Sequence, residues 1–230
     1  MFRWKHSRRH RSRFPDDGGF KDQIYGAYLA KTGNWKDALV QSGLKEEEVQ
    51  TAIDRYTRQY ARLIESAKNE AAGYYENQRQ VVLGTYNLAE LYYLSGNQSR
   101  CRNYADSAIA ILKQKLKETP DDERLYATLG KCFAFMGDSK EAIRCGEKAV
   151  ELLPVNLDAL FGPEKIQSLM KIHIILGNYN LALDKIEYLL KHPSDLSPGI
   201  LMVEPFYDKL RGLPRFQKII DDARKGMKVN

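Results

Sequence analysis

The chain has 230 residues, 43% of them hydrophobic and 29% charged, with a formal charge of +6; that is the balance of an ordinary soluble protein with room for one elongated domain or two small ones. No apolar run reaches the ~18 residues that span a bilayer, and no apolar segment of the kind a secretory signal needs follows the basic start. Cys101, Cys132 and Cys145 lack metal-ligand spacing and read as reduced, packed thiols, which places the expectation in a cytoplasmic compartment.

The charge sits at one end. Residues 1–14 carry Arg3, Lys5, Arg8, Arg9, Arg11 and Arg13 and no acid, so the remaining body is close to neutral. Arginine forks pair with phosphate oxygens, and Phe2 and Trp4 are interleaved with them. The segment is therefore a candidate contact for RNA, DNA or an anionic membrane. The plainer reading is a solvated basic tail. His6 and His10 have no third ligand and make no metal site. Pro15-Asp16-Asp17-Gly18-Gly19 closes the tail (1–19) as a turn.

Residues 20–81 read as an N-terminal helical region. Gly26 and Gly33 are seven apart, and Gly33-Asn34-Trp35-Lys36-Asp37-Ala38 has the form of a corner between two helices. Gly43 then interrupts the second helix. This is either a worn copy of the unit described below or an unrelated helical hairpin with a glycine stop. Leu44 to about Gln78 is predicted as one long helix. The acids Glu46–Glu48 favour its start, and Val49, Ala52, Ile53, Tyr56, Tyr60, Leu63 and Ile64 recur at helical spacing. The exposed face is mixed in sign, which argues against a DNA-reading helix-turn-helix.

Residues 82–194 hold three related units. In Val82–Pro120, Leu88, Ala89 and Tyr92 precede Gly96, and Cys101 and Ala108 follow it. In Glu123–Pro154, Tyr126, Leu129, Gly130 and Phe133 precede Gly137, and Ala142, Ala149 and Pro154 follow it. In Pro163–Pro193, Leu169 and His173 precede Gly177, and Tyr179 and Ala182 follow it. The small residues let two helices approach, each glycine closes the first helix, and the proline stops the second. Gly96 and Gly137 are 41 residues apart, which lengthens the second helix of the first unit through Leu112 to Pro120; Val155–Gly162 carries an insertion. Gly146 replaces a larger residue and is expected to loosen its helix. His173 is expected to be a packed ring with a satisfied nitrogen.

These patterns resemble the tetratricopeptide (TPR) repeat, with Glu123–Pro154 the closest match in register. The resemblance implies an all-α fold of antiparallel helix pairs A and B stacked into a short right-handed superhelix. It also implies a concave groove lined by helix A. By repeat position the groove residues are Tyr86, Asn87, Glu90 and Tyr93; Arg124, Thr128, Lys131 and Phe135; and Gln167, Ser168 and Lys171. Aromatics beside amides and a few charges suit an extended peptide or a partner helix. TPR receptors of chaperone tails grip a terminal carboxylate with a basic and amide clamp. If Val82–Pro120 is the first repeat, Tyr86 and Glu90 replace the first pair of that clamp, and if it is the second, Gln23 and Ala27 do; either way the Glu90 carboxylate is expected to repel such an end.

Residues 195–230 read as a helical cap. Ser197-Pro198 can start a helix, and Phe206, Leu210, Phe216, Ile219 and Ile220 can cover the apolar end of the last unit. The stretch EPFYDKLR…LPRFQKII is similar to the segments that close TPR arrays in bacterial signalling proteins linked to kinase, cyclase or TolB-like modules. No signature of those enzymes accompanies it.

The chain shows no phosphate loop, CxxC, HExxH, Gly-x-Ser-x-Gly elbow or calcium loop. The expectation is a non-catalytic protein–protein interaction scaffold with no cofactor, no metal and no small-molecule substrate. The alternative is an accessory subunit anchored to nucleic acid or an anionic membrane through its basic N-terminus.

Overall fold

The structure, a computed structural model, describes residues 17–227. Arg3, Lys5, Arg8, Arg9, Arg11 and Arg13 lie outside the described residues. The described chain is all-α apart from one hairpin. Its elements are α1 (Asp17–Thr32), α2 (Trp35–Ser42), α3 (Gln50–Tyr56), α4 (Tyr60–Lys68), β1 (Tyr74–Glu76) and β2 (Val81–Leu83). Then come α5 (Gly84–Leu94), α6 (Gln98–Glu118), α7 (Glu123–Met136), α8 (Ser139–Leu152), α9 (Gly162–Ile175) and α10 (Tyr179–Lys191). The chain ends in α11 (Pro198–Val203), α12 (Asp208–Arg211) and α13 (Pro214–Met227). None of these helices is long and apolar enough to cross a membrane.

Three helix pairs, α5/α6, α7/α8 and α9/α10, form the body, and each pair packs on the next. The corner of each pair is a glycine in the left-handed region, with φ of 81° at Gly96, 85° at Gly137 and 79° at Gly177, where a side chain would be strained. Asn97 and Asp138 then cap α6 and α8 by accepting bonds from the backbone N–H groups of Arg100 and Glu141. The expected lengthening of α6 is present: it runs for 21 residues.

Gly130 and Gly146 bring α7 and α8 together and admit α9. A Cβ on Gly130 would stand 2.7 Å from Ile172 Cδ1 and 3.0 Å from the Ala142 carbonyl oxygen. One on Gly146 would stand 2.7 Å from Ile172 Cδ1 and 2.8 Å from Leu169 Cδ1. Gly146 does not loosen α8, as the sequence suggested. It makes the notch in which Leu169 and Ile172 of α9 sit.

The long helix expected over 44–78 is broken. A 3-10 turn (Glu46–Glu48), α3 and α4 replace its first part, and Arg58 between the last two has a φ of 60°. Arg58 is the only non-glycine residue with positive φ among the described residues. Its guanidinium holds that corner through Asp208, at 2.6 and 2.9 Å, and through the Tyr56 carbonyl at 2.6 Å. After α4 the chain enters the antiparallel hairpin, which pairs Tyr74 with Leu83 and Glu76 with Val81.

The two ends of the chain meet. Helix α1 packs on α2 and on α11, whereas α4 is the element that covers α5. Tyr25, Leu29, Ala38 and Leu44 make a small second core with Val203. Gly199 of α11 lies against the last turn of α1, where a Cβ would collide with the Leu29 and Ala30 carbonyl oxygens. Ser197 caps α11 by accepting from the Ile200 N–H. Phe206, Leu210, Phe216, Ile219 and Ile220 are buried, and α13 packs on α10, as expected of a terminal cap.

Ala142 is fully buried at the α7–α8 crossing. Ala142→Leu overpacks it and is expected to lower stability by about 1–3 kcal/mol, measured by urea unfolding at constant m-value. An unchanged midpoint would reject this crossing.

Candidate binding cavity on the inner face

Helices α5, α7 and α9 form the inner face, and the chain itself covers much of it. The hairpin lies over α7 and α9. Thr128 Oγ1 donates to the Val81 carbonyl at 2.8 Å, Arg124 to the Asn77 carbonyl at 2.5 Å, and Lys165 Nζ to the Arg79 carbonyl at 2.9 Å. Arg79 forms ion pairs with Glu164 and Asp195.

The chain itself fills most of the aromatic end of the predicted groove, and a cavity of about 330 Å³ remains beside Tyr93, Phe135 and Lys209. Tyr86, Glu90, Tyr93 and Phe135, expected to face a partner, are buried. Tyr93 packs on Phe135 with ring centroids 5.2 Å apart, and on Phe206 of the cap at 5.9 Å. Lys209 Nζ donates to the Tyr93 hydroxyl at 3.1 Å. These rings are core residues because the returning C-terminal segment seats on them. Asn87 is half-buried on α5 and does not line the cavity described below.

Glu90 is the centre of a polar cluster within this end. It accepts from the Tyr86 hydroxyl at 2.6 Å and from Arg55 at 2.7 Å, and Arg55 also donates to Glu204 at 2.8 and 2.9 Å. Burial opposes the charge on Glu90. The Arg55 and Lys171 cations, the Tyr86 hydroxyl and Lys131 outweigh it and hold the carboxyl well below the usual range. The expected repulsion of a terminal carboxylate by Glu90 therefore does not operate: its charge is consumed inside the protein.

The polar end is open. A cavity of about 350 Å³ lies between the hairpin, α7 and α9. Six of the predicted groove residues line it together: Arg124, Thr128, Lys131, Gln167, Ser168 and Lys171. Lys165 and Arg79 also line it and were not legible as groove residues, because the hairpin recruits them. Lys165 is 1% exposed, and burial pushes its ammonium below the ordinary lysine range against the pull of Glu123 and Glu164. Lys131 is pushed down to about 8, first by burial and then by the Lys171 charge, with Glu90 pulling the other way. The Lys131 ammonium lies over the Tyr86 ring, 4.6 Å from its centroid. The arrangement can hold an anion by charge and hydrogen bonds.

The remaining titratable groups are packing groups. Burial raises the thiols of Cys101, Cys132 and Cys145 to about 11, 12 and 11, so each stays protonated and buried. His173 is buried, and burial followed by the Lys185 charge lowers it to about 4, so the ring is neutral. The ring is packed as expected, and its Nδ1 has no hydrogen-bond partner among the described residues. Among the described residues, no three His, Cys, Asp or Glu side chains stand together as metal ligands.

Glu90→Gln keeps the shape and removes the charge that Arg55 and Tyr86 hold. The expected loss is about 2 kcal/mol at neutral pH. The folded Glu90 pKa is depressed, so its contribution is present above the ordinary value of 4.5 and fades as the pH falls further. Chemical unfolding at a series of pH values should therefore show the two proteins converging in acid. A constant gap would assign the effect to packing instead.

No protein-family model matches the chain, and no curated protein matches it.

Proposed function

We propose that the chain is a non-catalytic interaction module of the TPR type, and that it holds an acidic segment of a partner protein against its inner face. The observation that carries this reading is the cavity beneath the hairpin, where Lys131 and Lys171 stand among polar side chains with no acid paired to them. The glycine corners and the close α7–α8–α9 crossing support the repeat reading. The burial of Tyr86, Tyr93 and Phe135 moves the partner surface from the aromatic end to this polar end. No reaction is assigned to the site. Its acids, Glu164 and Asp195, are paired to Arg79, and its threonine is bonded to the hairpin.

Fluorescence anisotropy with Asp- and Glu-rich peptides tests this reading. Binding should weaken with salt and fall roughly tenfold when Lys131 and Lys171 are both replaced, since each charge-assisted bond contributes on that order. Tyr93→Ala should act through stability, because the ring is buried. Acidic peptides that fail to bind, or bind both forms alike, would reject the inner face as the partner surface.

The six cations of residues 1–14 support a second, separable reading as an anchor to RNA, DNA or an anionic membrane. Deleting residues 1–14 should then abolish a salt-sensitive affinity for nucleic acid or anionic vesicles, measured by electrophoretic shift and vesicle sedimentation. Equal affinity in the shortened chain would reject it.

A further inference from the structure

Two lysines of the inner-face cavity lack the direct partners that its other cations have. Arg79 is matched by Glu164 and Asp195, Arg124 by Asp122 and Glu76, and Lys165 by Glu123 at 3.5 Å. Lys131 and Lys171 make no ion pair or hydrogen bond with any described residue. Their ammonium groups rest instead on the faces of Tyr86 and Phe206, 4.6 and 5.1 Å from the ring centroids. The carboxylate nearest to balancing them, Glu90, is already gripped by Arg55 and the Tyr86 hydroxyl. Two like charges thus share one partly buried space, with the already bonded Glu90 as their nearest counter-charge. Ser168 and Gln167 stand in the same lining, and their side chains bond to no other described residue, so both are free to donate.

We propose that this cavity is a binding site for a phosphate monoester dianion, clamped between Lys131 and Lys171. Charge selects the class. A carboxylate offers one negative charge and two oxygens, whereas a phosphate monoester carries about −1.5 to −2 at neutral pH and three strong acceptor oxygens, enough to engage both ammonium groups and the Ser168 and Gln167 donors together. Lysine binds phosphate as a point charge and needs no planar partner. A cavity of about 350 Å³ exceeds one phosphate group and leaves room for part of the alcohol it esterifies. The same group is offered by a phosphorylated side chain of a partner protein and by a small phosphate ester. The site rests on the inner-face reading above and sharpens it.

Calorimetry of the full chain tests the proposal. The probes are inorganic phosphate, free phosphoserine, a phosphoserine peptide and its unphosphorylated twin. Phosphate should bind with one-to-one stoichiometry and raise the Tm of the unaltered chain, a measure that needs no variant. The phosphopeptide or free phosphoserine should bind at least roughly tenfold tighter than the unphosphorylated peptide. Lys131→Met with Lys171→Met keeps the apolar stems and should remove that preference, while Lys140→Ala, exposed on α8, should not.

The source follows from the ranking. Tightest binding of the phosphopeptide assigns a phosphorylated partner, and tightest binding of free phosphoserine assigns a small ester. Absence of both heat and a Tm shift with every phosphorylated probe would overturn the proposal, as would binding that survives in the double variant. Acidic peptides that bind through the two lysines with no preference for phosphate would overturn it and leave the scaffold reading standing. Phosphate binding without binding of any peptide would uphold the site and reject the scaffold reading.

Discussion

The Arg55 guanidinium bonds to Glu90 on α5 and to Glu204 just before the 3-10 turn that leads into α12. It thereby ties three regions of the chain at one point: the N-terminal helices, the first helix pair and the C-terminal cap. The cost of removing these charges from water is offset only because each is bonded, and Lys171 and Lys131 add their fields to Glu90. The aromatic end of the inner face is largely filled because this cluster brings Phe206 onto Tyr93. The polar end stays open because the hairpin crosses α7 and α9 through backbone carbonyls, and its charged side chains are paired, Arg79 to Glu164 and Asp195 and Glu76 to Arg124. The division of the α5–α7–α9 face into a largely filled aromatic half and a half that holds the polar cavity follows from these two attachments.

Local pattern carried the body of the fold. Gly96, Gly137 and Gly177 mark corners because only glycine takes their conformation without strain, and the small residues around them mark helix crossings. Gly146 was misread for an instructive reason. A glycine in a helix costs stability when judged alone, yet here it is the contact surface for Ile172 and Leu169, side chains on a helix that no local window contains. The break at Arg58 had no glycine or proline to announce it. Its unusual backbone is stabilised by Asp208, 150 residues away. The hairpin was hidden because its strands, Tyr74–Glu76 and Val81–Leu83, have three residues each, too few for periodicity to decide.

The candidate site was legible to the same extent. Repeat position placed Arg124, Thr128, Lys131, Gln167, Ser168 and Lys171 on one face, and the structure gathers them around one cavity. The same rule failed for Tyr86, Glu90, Tyr93 and Phe135, because position in a repeat says which way a side chain points and not what covers it. Lys165 and Arg79 entered the lining only through the hairpin. Glu90 and Tyr93 meet Arg55, Phe206 and Lys209 in segments outside the helix pairs, where the sequence offered no register, while Tyr86 and Phe135 also pack on each other.

The meeting of α1 with α11 changes how the molecule comes into being. A stack of helix pairs can add one pair at a time, each finding its neighbour within a few dozen residues. Here Leu29 and Ala30 close on Gly199, and Arg55 waits for Glu204, so the chain acquires contacts of very high sequence separation on top of a locally organised body. During synthesis α1 emerges well before α11, and the face of α1 that Gly199 covers stays open until α11 follows. The body can assemble in order, but this earliest-made face is sheltered late, and the window of exposure lengthens with every residue that separates the two ends.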